Sequence, residues 1–152
     1  MLANKSEEEL RKLTVEIRFL EQTAEAAQSR INVINAVITD LNYANMALEG
    51  LEKEKEDAEL LVPIGGNSYI RAKLDSPDRL IVGMGAGVSA ERTLQESKEV
   101  VKKRLESLEK TRDSLQQQLS QVAERLGADR ERFDSLVAEL REGKASKDAK
   151  NV

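Results

Sequence analysis

The sequence contains no cysteine, no histidine and no tryptophan, and only 3% of its 152 residues are aromatic. Without thiols or imidazoles there is no cysteine nucleophile, no ordinary neutral-pH acid/base and no Cys/His zinc site. These absences point away from an enzyme and leave no cofactor or metal to expect. The N-terminal Met-Leu-Ala-Asn-Lys-Ser-Glu-Glu-Glu lacks the basic segment and apolar run of a signal peptide, and no apolar stretch approaches membrane-spanning length. A cytoplasmic protein with no membrane partner is the expectation, and the missing cysteines fit a reducing compartment. A net charge of -4 argues against a dedicated nucleic-acid binder, which would concentrate Lys and Arg into a basic surface. With 34% charged residues and so few aromatics, a thick globular core is not available.

What the chain has in quantity is heptad periodicity. Leu10, Leu13, Ile17, Leu20, Ala24, Ala27, Ile31, Ile34, Ile38, Leu41, Asn45 and Leu48 follow alternating spacings of three and four, which is a coiled-coil seam. Asn45 is its polar member, a residue type that sets register at such positions. Ser6 and Glu9 have capping-box spacing and predict a helix start near 6, while the charged run after Gly50 predicts fraying toward 58. A second seam runs Leu94, Val101, Leu105, Leu108, Arg112, Leu115, Leu119, Val122, Leu126, Asp129, Phe133, Leu136 and Leu140, with Lys98 as an early polar exception. Thr93 and Glu96 repeat the capping box, and Gly143 marks the predicted end. If the two helices fold back antiparallel with facing positions summing to about 150, Ala24 and Ala27 lie against Leu126 and Val122, small against large.

Between the seams the period changes from helical to alternating. Leu60–Ile64 reads as a strand, 65–67 as a turn and Ser68–Leu74 as a second strand; Ser76-Pro77-Asp78 turns the chain into a third strand, Leu80–Met84, and Ala86–Ala90 supplies a fourth. Pro63 cannot donate to a ladder, so the first strand lies at an edge or carries a bulge. The predicted organisation is an N-terminal coiled-coil helix over 1–58, two β-hairpins over 59–91, a C-terminal coiled-coil helix over 92–142 and a disordered tail over 143–152. This is a mostly helical α+β fold, a long antiparallel two-helix coiled coil with two β-hairpins at its closed end. Short hairpins cannot bury both faces by themselves, so other chains must complete the sheet. Leu61, Val62, Ile64, Tyr69, Ile70, Leu74, Leu80, Ile81, Val82 and Met84 are the candidate residues for that joining. Tyr43, Met46 and Ala47 form a second apolar face expected to pack beneath the chain's own strands, the alternative being a direct contact with another subunit.

The run Leu61-Val62-Pro63-Ile64-Gly65, then Ser68-Tyr69-Ile70-Arg71-Ala72-Lys73-Leu74, then Ile81-Val82-Gly83-Met84-Gly85-Ala86-Gly87-Val88 with Glu91, resembles the alpha-type subunits of the prefoldin family, archaeal alpha and eukaryotic subunit five. The helix, two hairpins, helix organisation matches throughout, and two hairpins favour the alpha over the beta type. The resemblance implies a hetero-hexamer of two alpha-type and four beta-type subunits whose strands join in a β-barrel platform. It further implies an ATP-independent holdase that captures non-native polypeptides at coiled-coil tips and delivers them to a group II chaperonin. The alternative is a structural coiled-coil adaptor in a prefoldin-like complex that holds one folded partner.

The tip residues bear on that implication. Val15 and Phe19 lie one turn apart but off the seam, so a two-helix coil leaves them outside, and Val137 lies beside the seam. These three are assigned to client contact. Leu10, Leu13, Phe133, Leu136 and Leu140 either close the coil or meet a client when terminal turns open. Gly83-Met84-Gly85-Ala86-Gly87-Val88 looks like a dinucleotide fingerprint, but its sixth position is Val and no βαβ unit surrounds it. Glycines that permit tight turns are the better account.

Overall fold

The computed structural model describes residues 2–152, with side chains from residue 4 onward; Met1 of the expected N-terminal helix lies outside the described residues. Helix α1 spans Leu2–Leu51 and helix α2 spans Leu94–Lys150, with β1 (Glu59–Gly65), β2 (Ser68–Lys73), β3 (Leu80–Gly85) and β4 (Val88–Arg92) between them. Contacts divide the chain into two compact units. The terminal unit joins α1 through Val33 to α2 from Thr111 onward, and the central unit comprises Ile34–Lys110.

In both units the seam predicted from heptad spacing is the buried stripe. Every residue of the two ladders, Asn45, Arg112 and Asp129 included, is buried or half-buried, while the helix surfaces between them are mostly exposed. In the terminal unit Leu13, Ala27, Ile31, Leu115 and Leu136 form the core, and in the central unit Ile38, Leu48 and Val101 do. The antiparallel sense of the terminal unit is written in its ion pairs: Arg132 reaches Glu9 at 2.7 Å and Arg125 reaches Glu16 at 2.6 Å. Asp129, buried in the seam, is held by Arg125 one turn earlier at 3.2 Å, so its charge is paired where burial would otherwise be costly. Asn45 donates to Glu49 on its own helix at 3.3 Å. Ala27 lines an open groove with Leu115 and Gln118.

Several predicted boundaries move. Helix α1 begins at Leu2, which places Ser6 inside the helix, and the Glu9 carboxylate goes to Arg132 rather than to a cap. At its other end α1 stops at Leu51 instead of fraying to 58. There the chain is captured by the first hairpin, with Asp57 N–H donating to the Leu74 carbonyl at 2.8 Å and Leu74 N–H to the Ala58 carbonyl at 2.9 Å. The tail over 143–152 is not disordered as expected, because α2 runs on through Gly143 to Lys150. A single glycine costs a helix only about 1 kcal/mol relative to alanine, and the alanines and lysines beyond it are good helix formers. The Thr93 capping box forms as spaced: Glu96 N–H donates to Thr93 Oγ1 at 3.2 Å and Thr93 N–H to Glu96 Oε2 at 3.0 Å.

The two hairpins are built alike, twenty residues apart in sequence about the same turn. β1 pairs antiparallel with β2 and β3 with β4, and each ladder slips its register one residue before the turn, between Pro63 and Gly65 and between Gly83 and Gly85. Gly66 and Asn67 in the first turn, and Ala86 and Gly87 in the second, all have positive φ, the sign pattern of the type I′ turn that matches strand twist. Ala86 and Gly87 are therefore turn, not strand, and the fourth strand starts at Val88 rather than Ala86. The bulge beside Pro63 recurs beside Gly83 in the second hairpin, so it goes with the positive φ of Gly65 and Gly85 rather than with proline.

Candidate functional site

Each hairpin is a separate two-stranded sheet with both edges open. Of the residues predicted to join other chains, Leu61, Val62, Ile64, Tyr69, Ile70, Ile81 and Met84 are exposed, Ile81 to 81%; Leu74, Leu80 and Val82 are half-buried. Val88, which sequence reasoning counted as strand but not as a joining residue, is exposed too. Exposed apolar side chains beside open strand edges offer a surface to which further strands can pair.

Polar ties join the second hairpin to α2. Asp78 Oδ1 accepts from Leu94 N–H at 3.0 Å, adding a second cap to that helix start beside Thr93. Arg104 donates to the Gly83 carbonyl in β3. Arg79 engages both oxygens of Glu91 at 2.9 and 3.3 Å, and this hydrogen-bonded pair holds the Glu91 carboxyl below its usual range. Nearby, Lys98 of the seam pairs with Glu52 just past the end of α1. Tyr43 and Met46 are 66% and 65% exposed, so they do not pack beneath the chain's own strands as expected. Val37 is exposed on the same segment and carried no signal in the sequence beyond lying off the seam.

In the terminal unit the tip candidates separate into three groups. Leu13 and Leu136 are buried, Leu136 to 1% exposure, and close the coil. Leu10, Phe133, Leu140 and Val137 are half-buried; Val137, assigned to the outside from its place beside the seam, is drawn into the edge of the core. Val15 and Phe19 stand free at 70% and 65% exposure, side by side over an open depression floored by Arg11, Lys12 and Glu16. Val33 is the further exposed apolar residue of this part of α1. Three arginines of α2 clamp the unit, Arg132 on Glu9, Arg125 on Glu16 and Arg130 on Glu21, the last two at 2.6 Å. The Arg132 hydrogen bonds hold the Glu9 carboxyl below its ordinary range.

Among the described residues no group of three or more His, Cys, Asp or Glu side chains is placed to hold a metal ion, and no helix is long and apolar enough to cross a membrane. The glycine-rich run at 83–88 lies in the second hairpin, where Gly85 and Gly87 supply positive φ to the bulge and turn.

Comparison with known proteins agrees with this geometry. The chain is 36% identical to a prefoldin subunit alpha of Methanopyrus kandleri over 74% of its own length and 72% of that protein's. It is 30% identical to prefoldin subunit alpha of Methanococcoides burtonii, over 84% and 92%. Its fold superposes on a chain of the filamentous PFD of Methanocaldococcus jannaschii, solved by cryo-EM, with a TM-score of 0.65 at 22% identity, covering 83% of this chain and 98% of that one. The prefoldin family profile, described as prefoldin subunit, matches residues 20–139, and with relatives of this similarity the chain belongs to the prefoldin family of chaperones, among its alpha subunits.

Proposed function

We propose that this chain is a holdase subunit that captures non-native polypeptides at the terminal ends of its helices, without ATP, and passes them to a group II chaperonin. The observation that carries the reading is the pair Val15 and Phe19, large apolar side chains left exposed where the seam has no use for them. A folded chain gains nothing from that exposure, whereas an unfolded one offers apolar segments to cover it. The half-buried Leu10, Phe133, Val137 and Leu140 widen the contact when the terminal turns open, and Leu13 and Leu136 keep the coil closed beneath it.

The open hairpins assemble the complex. Leu61, Val62, Ile64, Tyr69, Ile70, Leu74, Leu80, Ile81, Val82 and Met84 join strands of beta-type subunits in a hexamer of two alpha and four beta chains, acting in the cytoplasm. Several tips then engage one client at once, which turns weak single contacts into useful retention. The test is an aggregation assay with a chemically denatured client and the complex reconstituted from this chain and a beta-type partner. Substoichiometric protection is expected; no protection, with the complex intact by mass, sinks the holdase reading and favours an adaptor for one folded partner. Mass in solution with and without the beta-type partner separates the hexamer from self-association of the filamentous kind.

A further inference from the structure

We infer that the outer face of α1 from Arg11 to Arg30 selects clients by charge, taking segments in which apolar residues alternate with Asp or Glu. The inference rests on the proposed holdase function and names the chemistry of what the tip prefers. Arg11, Val15 and Arg18 follow one another at one-turn spacings, and Lys12 and Phe19 lie beside them on the same exposed face, with Arg30 farther along. The depression under Val15 and Phe19 has Arg11 and Lys12 in its wall.

The cations of this face are available because the ion pairs are spent elsewhere. Between Leu10 and Arg30, α1 carries four cations, Arg11, Lys12, Arg18 and Arg30, and three carboxylates, Glu16, Glu21 and Glu25. Two of those carboxylates are taken by arginines of α2, Glu16 by Arg125 and Glu21 by Arg130. None of the four cations is in an ion pair among the described residues. On the facing stretch of α2, 124–134, the balance is reversed: Arg125, Arg130 and Arg132 are engaged, while exposed Glu124, Glu131 and Asp134 are in no ion pair among the described residues; unpaired Arg141, Lys144 and Lys147 lie farther along the helix. Over these stretches the unit presents an apolar, cationic strip on α1, with Glu25 its one unpaired carboxylate between Leu10 and Arg30, and an acidic face on α2 at 124–134, although the whole chain carries a net charge of -4. An acidic, apolar segment is attracted to the first and repelled by the second; a basic one meets the opposite field.

Binding of three fluorescein-labelled peptides to the full chain, followed by anisotropy, tests this. The peptides share length and the same Leu and Phe positions and differ in the residues between them, Glu, Lys or Ser. Tighter binding of the Glu peptide over the Lys peptide, roughly tenfold for three exposed charge contacts, is expected, shrinking at high salt. The preference should invert in the variant Arg11→Glu/Lys12→Glu/Arg18→Glu, with Arg11→Gln/Lys12→Gln/Arg18→Gln as a milder check and helicity by circular dichroism unchanged in both. Equal affinities for the three peptides, or binding of none of them, would overturn the charge selection; the holdase reading, which relies on several tips at once, stands or falls separately on the aggregation assay of the complex. Polyaspartate that competes equally well against the parent chain and against Val15→Ser/Phe19→Ser would show a general anion surface, nucleic acid included, and would also overturn it.

Discussion

Replacing Val15 and Phe19 together by Ser gives the most direct measure of how much the exposed pair contributes to client capture. Fully burying an aliphatic or aromatic side chain of this size stabilises by about 1.5–3 kcal/mol. Within the folded chain Val15 and Phe19 keep 70% and 65% of their surface in water, so that fraction is what a client can still cover. If a flexible segment covers half of it, each side chain contributes about 0.5–1 kcal/mol and the pair about 1–2 kcal/mol. Affinity per tip should then fall roughly five- to thirty-fold. Folding should hardly change, since neither residue is in the core and Val, Phe and Ser have similar helix propensities. The assay is suppression of light scattering by a denatured client over a titration of the assembled complex, with thermal melts of parent and variant alongside. A complex of unchanged mass and melting temperature that protects as well as the parent would refute the assignment of these side chains to the client site.

Leu136→Ala, at the most buried large side chain of the chain, should instead destabilise by about 3 kcal/mol through lost burial and a cavity, read by urea denaturation; a loss under 1 kcal/mol would show that the coil collapses around the gap. Asp78→Ala removes the cap that β3's leading turn provides to Leu94 and should cost about 1 kcal/mol in the same measurement, while Thr93 still caps the helix. Ile81→Asp should leave the isolated chain folded, because Ile81 is exposed there, yet weaken assembly by at least about 3 kcal/mol by placing an unpaired charge in the joined strands; a hexamer of normal mass would refute that role. Glu9 has its carboxyl held below the ordinary range by Arg132, so its stabilisation is complete above the unfolded value near pH 4.3 and is lost as pH falls through the lower folded value. Melting temperatures of the parent and Glu9→Gln should therefore differ above about pH 4.3 and converge in acid, and a gap that stays constant with pH would refute the linkage.

The seam was legible because a coiled coil repeats one test at every turn: each ladder residue from Leu10 to Leu140 is non-exposed, and even the polar Asn45, Arg112 and Asp129 sit where spacing puts them. Ends of elements were less legible. A capping box is a local offer, and at Thr93 nothing competed for it, whereas at Glu9 an arginine far away in sequence did. Gly143 alone does not stop a helix, since its cost of about 1 kcal/mol is set against the good helix formers on both sides of it, and α2 runs through it to Lys150. The second turn was misplaced by counting Ala86 as strand. An alanine does not advertise positive φ as glycine does, though the match of Ile64-Gly65-Gly66-Asn67 to Met84-Gly85-Ala86-Gly87 carried the information.

For the candidate site, periodicity could say which side chains leave the seam but not how far. Val137 and Val15 are both apolar and off the seam by spacing, yet one is half-buried and the other exposed. Nor does composition reveal charge selection, since opposite signs alternate along both helices and the net charge is acidic. The polarity of the two outer faces appears only once the cross-helix pairs are known, because each pair neutralises a carboxylate of α1 and a cation of α2 together. What remains on each surface is a remainder, and its sign follows from the register of the coil. Sliding the helices by a heptad would pair different residues and could erase it. On the proposed charge selection the register serves recognition as well as packing, and Arg130→Gln, which breaks Arg130–Glu21 without touching the Arg125 that pairs buried Asp129, should leave Glu21 unpaired. That variant should lower the preference for acidic peptides with Arg11, Lys12 and Arg18 untouched. An undiminished preference would show that the cations of α1 act without regard to their neighbours.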